Sequence, residues 1–203
     1  MLFRSVQAIG RALDLRQADQ LTLWVSDLGR DCPTLSVLVN NAGRPSLSKP
    51  ATQTRVEEWD DTLDVNLKGT FFLTTAFGQW LIDRQRRGAV ISLSSTHGSV
   101  GLAGASVYGI SKAGISQMTR MLAIEWAPYG IRVNAIAPGT TMTETRAPRL
   151  SQPAVGKAML DRIPLGRFGS PEEMGQAVAY LASPQASFIT GQVLHLDGGL
   201  TAY

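Results

Sequence analysis

The 203-residue sequence predicts an α/β protein, a Rossmann-like doubly wound parallel sheet in a single domain. Three observations predict it. Short apolar runs alternate with longer amphipathic stretches. The short runs are apolar at consecutive positions, which describes strands buried on both faces. Each run then breaks at polar residues or glycine. Strands of that kind need helices on both sides, and in such sheets ligands bind at the carboxyl ends of the strands.

The elements follow in order. "VQAIGRALDL" is expected to be a strand leading into Asp14. "LSVLVNNAG" (Leu35 to Gly43) is a buried strand ending in a polar, glycine-closed turn, and a long helical stretch runs from about Arg55 to Arg86. "GAVISLSS" (Gly88 to Ser95) is the next strand, and the helix after it spans about Ser106 to Trp126 before "YG" stops it. "IRVNAIAPG" (Ile131 to Gly139) is another strand, closed by Pro-Gly. Ser170 as N-cap, Pro171 at the first helical position and Glu173 completing a capping box start a helix that continues to Ser183. "QVLHLDGG" (Gln192 to Gly199) is the final strand. There is no internal repeat, low-complexity tract or linker.

Composition removes several function classes. Hydrophobic residues make up 44% and charged residues 17%, with a net charge of +3 from 19 basic and 16 acidic side chains. That margin does not point to nucleic acid. The basic run "DRQRRG" falls at a helix end, where cations complement the dipole. No apolar run approaches the ~18 residues of a membrane span, and "MLFRSVQAIG" lacks the features of a signal peptide. Cys32 is the single cysteine, and His97 and His195 stand in no metal-ligand spacing. A cytoplasmic protein holding no metal is expected.

Tyr108 and Lys112, in "SVYGISKAG", stand one helical turn apart and share a face. Alone, this pair reads better as a half-buried phenol beside a snorkelling lysine on a surface helix. The strand ends hold further candidates: Asn40 to Gly43, Ser94 and Ser95, and Pro138 and Gly139.

Together, "NNAG" (Asn40 to Gly43), a "SS" ending the next strand, "YGISK" (Tyr108 to Lys112), "VNAIAPG" and the closing "LDGG" resemble the short-chain dehydrogenase/reductase family of nicotinamide-dependent oxidoreductases. The likeness runs from about residue 8 to the end, with the motifs in the family's order and spacing. The resemblance implies a ketone or aldehyde interconverted with an alcohol by hydride transfer, in the manner of 3-oxoacyl-carrier-protein reductases or sugar and polyol dehydrogenases. It implies NAD(H) or NADP(H) as cofactor and Asn66, Ser95, Tyr108 and Lys112 as catalytic residues. An isolated phenol has a pKa of about 10, and a nearby ammonium favours the phenolate. Tyr108 is then the general acid in reduction and the base in oxidation. Ser95 hydrogen-bonds the substrate oxygen, Asn66 orders a water, and Lys112 also holds the nicotinamide ribose.

For the cofactor, the resemblance implies Asp14, with Leu15 beside it, next to the adenine; Asp27 is the competing aspartate. It also implies Asn40, Ala42 and Gly43 along the adenosine half, and Pro138, Gly139, Thr141 and Thr143 around the carboxamide. Thr96 and His97 line the substrate pocket with Ser95 and Tyr108. His195 is expected to be packed. The loop after Pro-Gly, from Thr140 to Gly169, falls in the family's substrate region; its Arg146 and Arg149 are open to an acidic substrate, a phosphopantetheine arm or plain solvation. Family members associate as dimers or tetramers through elements this sequence carries, so a homo-oligomer is expected. The family's TGxxxGxG turn is not found, so the chain is expected to lack the first βαβ region; a catalytically silent oligomer subunit or binding partner is the second reading.

Overall fold

The computed structural model describes residues 8–202. Four strands, β1 (Val37–Asn40), β2 (Gly88–Leu93), β3 (Ile131–Pro138) and β4 (Val193–Leu196), form one parallel sheet in the order β1-β2-β3-β4. The register places Val90 beside Leu38 and Val133, and Ile91 beside Val39 and Asn134. Because side chains alternate across a strand, this register builds two cores. Val90, Ile131 and Val133 pack under α1 (Leu21–Asp31), α3 (Thr70–Asp83) and α4 (Ser106–Trp126). Ala89, Ile91 and Ile136 pack on the other face under α7 (Pro171–Ala182). Both faces of β2 are buried, which is why its sequence shows no polar alternation.

The helices follow the sequence signals closely. The stretch expected over 55–86 is helical from α2 (Val56–Leu63) through α3, but a six-residue π-helical segment, Asp64–Gly69, joins the two and presents Asn66. Widened turns of this kind cluster at functional sites. Helix α7 has the expected capping box: the Ser170 hydroxyl accepts from the Glu173 amide, and the Glu173 carboxylate accepts from the Ser170 amide. At the basic end of α3 the Arg84 guanidinium lies 4.6 Å from the Trp80 ring centre and donates to the Trp80 carbonyl.

Three expectations are corrected. Strand β1 is not buried on both faces: it is the edge of the sheet, with Val37 37% and Val39 42% exposed, because α7 packs over β2 and β3. The described part of "VQAIGRALDL" is not a strand; residues 8–14 have no regular structure. Its apolar residues pack sideways instead: Leu13 and Leu15 lie on the α1–α3–α4 core, and the Trp24 indole donates to the Ala12 carbonyl at 3.3 Å. Val6 and Gln7 lie outside the described residues. The stretch from Thr140 to Gly169 is more than a loop. It carries α5 (Ala147–Leu150) and α6 (Pro153–Leu160), and its base is closed by a parallel bridge between Thr141 and Gly169.

Candidate active site

A cleft of about 390 Å³ opens at the carboxyl ends of the strands. The turns after β1, β2 and β3 contribute Gly43, Ser95 and Gly139 to its wall, and α4 contributes Tyr108 and Lys112. Strand ends converge here because parallel strands all release their chains on one side of the sheet.

Helix α4 sits against the turn after β2 with no room to spare. A Cβ added at Gly98 would lie 2.8 Å from the Lys112 carbonyl carbon and 2.9 Å from its oxygen. Glycine is therefore what allows the backbone of the Ser95 turn to touch the backbone of the lysine. The Ser94 hydroxyl fastens the same junction, donating to the Lys112 carbonyl at 2.9 Å.

The side chains are poised accordingly. Tyr108 is half-buried, and the Lys112 ammonium lies 5.7 Å from its ring centre. Lys112 is only 6% exposed and donates to the Leu93 carbonyl at 2.7 Å. Burial lowers its pKa to about 8. An ammonium has three donors, and among the described residues only this one is matched, which leaves Lys112 suited to hydroxyl acceptors entering the cleft. The Ser95 hydroxyl accepts from the His97 amide at 3.2 Å, and its own proton is free for an acceptor in the cleft. His97 sets its ring edge-on to Tyr108, 6.3 Å between centres, and its buried Nδ1 has no partner among the described residues. Burial first, then the charges of Arg146 and Arg162, hold His97 below the usual histidine value.

Asn66 lies just behind the wall. Its Oδ1 accepts from the Arg44 amide at 2.5 Å, and its Nδ2 donates to the Arg44 carbonyl and the Ser111 hydroxyl. A Cβ at Gly43 would be 3.2 Å from Asn66 Oδ1 and 3.7 Å from Lys112 Nζ. The glycine thus opens the cleft toward both groups.

Of the positions expected from sequence, Gly43, Ser95, Thr96, His97, Tyr108, Lys112, Pro138, Gly139 and Thr141 share this cleft. Asn40 does not. Its amide donates to Thr74 and Ser92 inside the core, so both its protons are used structurally. Leu15 is likewise turned away: its carbonyl would lie 2.2 Å from a Cβ on Gly69, and its side chain packs on the core. Asp14 stands outside the cleft, held well below the usual carboxylate range, to about 2, by its hydrogen bonds from Arg16. Ala42 and Thr143 flank the wall without lining it; the Thr143 hydroxyl is 3.1 Å from that of Thr145. His195, expected to be packed, is half-buried on β4, with its Nε2 3.0 Å from the Ser99 hydroxyl. Asn41 and Thr140, within the stretches singled out from sequence, also line the wall, and sequence reasoning missed Arg44 beside them. Its adjacency to Gly43 was the available signal.

The nicotinamide riboside half of a dinucleotide fits this set. Lys112 has unmatched donors, Gly43 leaves the space beside it open, and Pro138, Gly139 and Thr141 line the same cleft.

Comparison with known proteins agrees with the geometry. A family model described as enoyl-(acyl carrier protein) reductase matches residues 3–201. The chain is 42% identical over 193 residues to the 3-oxoacyl-[acyl-carrier-protein] reductase FabG of Thermotoga maritima, covering 93% of this chain and 75% of the relative. It is 37% identical over 210 residues to galactitol 2-dehydrogenase (L-tagatose-forming) of Cereibacter sphaeroides, covering 100% and 82%. Among solved structures it superposes on gluconate 5-dehydrogenase of Burkholderia cenocepacia in complex with NADP and tartrate. The TM-score is 0.88 at 29% identity, with 94% of this chain and 74% of that one covered. The chain belongs to the short-chain dehydrogenase/reductase family of nicotinamide-dependent oxidoreductases.

Proposed function

We propose that this cleft interconverts a carbonyl compound and an alcohol with NAD(H) or NADP(H), using Tyr108 as general acid in reduction and general base in oxidation. One observation carries the reading: the Tyr108 phenol, the Lys112 ammonium and the Ser95 hydroxyl face a single cleft. When bound, the nicotinamide supplies or accepts the hydride. The protein's part is to manage oxygen and proton. Ser95, which accepts from the His97 amide and keeps its proton, donates to the substrate oxygen and holds it toward Tyr108. Tyr108 gives that oxygen its proton as negative charge develops. The phenolate left behind is stabilised by Lys112, whose charge is little screened because the side chain is buried. Lys112 also holds the ribose hydroxyls, and Asn66 completes the path by which a proton returns from solvent. Asp14 serves the adenine side, near Arg44.

The relatives named above act on an acyl-carrier-protein substrate, a polyol and a sugar acid, so their names support the reaction type and leave the substrate open. No helix among the described residues is long and apolar enough to cross a membrane, which supports a cytoplasmic protein. Exposed apolar residues on α3 and α4, among them Phe72 at 44%, Met121 at 50% and Ile124 at 76%, support a homo-oligomer formed through that face.

The test is a titration with NADH and NADPH followed by nicotinamide fluorescence, with turnover of the wild type and Tyr108→Phe compared under saturating cofactor. Saturable binding of one nucleotide is expected, with turnover lost in the variant and affinity changed no more than a few-fold. Turnover retained by Tyr108→Phe removes Tyr108 from the mechanism.

A further inference from the structure

Arg146, the N-cap of α5, and Arg149, the third residue of that helix, stand three positions apart and both reach the cleft. The helix is fixed in place: Leu150 is buried, and a Cβ on Gly156 of α6 would lie 2.4 Å from the Leu150 carbonyl oxygen. The two guanidiniums are therefore presented by an anchored element. Among the described residues neither has a carboxylate within 4.0 Å, and no aspartate or glutamate lines the cleft. Arg44, the other arginine of the wall, differs in being paired with Asp61 at 2.8 Å.

Two neighbouring cations with no counter-charge make a positive potential that focuses into a cleft. The potential reaches the reacting end. Arg146 is the first charge, after burial itself, that holds His97 below its ordinary value, and His97 lies edge-on to Tyr108. It therefore extends to the side chain packed against Tyr108. Guanidiniums present a planar donor fork that matches carboxylate and phosphate oxygens.

We propose that the substrate is an anion: a carboxylate or phosphate monoester on the alcohol or carbonyl compound binds Arg146 and Arg149 while the reacting carbon faces Tyr108. This rests on the cleft being the hydride-transfer site. The arginines read the substrate's charge at one end, and Ser95 and Tyr108 read its oxygen at the other. Leu102 and Met159, also in the wall, bound the space between.

The experiment is ligand-observed saturation-transfer NMR on the full chain with two matched pairs: D-gluconate against D-glucitol, and D-glucose 6-phosphate against D-glucose. The wild type, Arg146→Gln/Arg149→Gln and Tyr108→Phe are compared, and NADPH affinity is measured on each by fluorescence. In at least one pair the charged member is expected to bind tenfold or more tightly than its neutral partner; which pair responds separates carboxylate from phosphate. The double variant is expected to erase that preference, and the Arg146→Lys/Arg149→Lys variant to restore part of it. Tyr108→Phe is expected to keep the preference while losing turnover. Turnover kept there defeats the hydride-transfer reading and leaves the anion preference standing on its own. Equal binding within both pairs, no binding in either, a preference that survives Arg146→Gln/Arg149→Gln, or an equal loss of NADPH affinity in that variant overturns the inference.

Discussion

Asn66 grips the backbone of Arg44 from both ends, accepting its amide proton at 2.5 Å and donating to its carbonyl at 3.1 Å. The π-helical segment Asp64–Gly69 makes this possible by turning a buried asparagine toward the β1 turn. Gly43, one residue before Arg44, is thereby held at the edge of the cleft.

Asn66→Ala would leave the amide and carbonyl of Arg44 and the hydroxyl of Ser111 without this partner. Each group left unmatched in a buried site costs about 1–3 kcal/mol, so a loss of about 2 kcal/mol or more is expected from urea unfolding. Activity should fall further than stability explains, because the Gly43 wall loosens beside Lys112. A variant with wild-type stability would show that the grip contributes nothing.

Ser95→Ala removes the hydroxyl proton aimed at the substrate oxygen while leaving the fold intact. Loss of one such donor costs about 10²–10³ in turnover. The fall is expected in kcat with NADPH affinity unchanged, measured by steady-state kinetics and fluorescence titration. Ser95→Thr keeps a hydroxyl and should recover part of the rate.

Lys112 gives a pH signature. Burial lowers its pKa from 10.5 to about 8. Below pH 8 both folded and unfolded chains carry the proton, and the folded state bears the cost of a buried charge, roughly 3 kcal/mol at 1.36 kcal/mol per unit. Between pH 8 and 10.5 the unfolded chain holds the extra proton, so this group makes stability rise with pH across that window. Lys112→Met should abolish turnover, and any stability it gains at pH 7 should shrink between pH 8 and 10.5. Chemical unfolding at several pH values reads the difference, and a constant gap would contradict it.

His97 reports on the cationic wall. Burial, then Arg146 and Arg162, hold it below its ordinary 6.5. Arg146→Gln should move its NMR titration upward, with the burial contribution remaining. A titration that does not move would separate Arg146 from the reacting end of the cleft.

Gly98→Ala would drive a methyl group to 2.8 Å from the backbone of Lys112. Backbone on both sides cannot yield as a flexible side chain can. A loss of about 1–3 kcal/mol is expected from overpacking, with turnover reduced because Ser95 and Lys112 separate. Thermal unfolding and kinetics on one preparation would check both, and wild-type values in each would show that the contact can relax.

The sequence by itself determined what local rules can carry. Short apolar runs identified β1 to β4, Ser170 and Pro171 placed the start of α7, and the one-turn spacing of Tyr108 and Lys112 put them on one face of α4. Ordered motifs at strand ends then located the cleft before any coordinate. Tertiary structure decided the rest, because the deciding partners are distant in sequence. Asn40 belongs to a motif, yet Thr74 and Ser92 claim its amide for the core. The segment at 8–14 has strand-like composition, but its leucines are drawn to the helical core and its backbone joins no ladder. Arg146 and Arg149 were indistinguishable from solvated loop charges until α5 brought them to the cleft wall beside His97. Periodicity fixes which face a residue occupies; only packing fixes what that face meets.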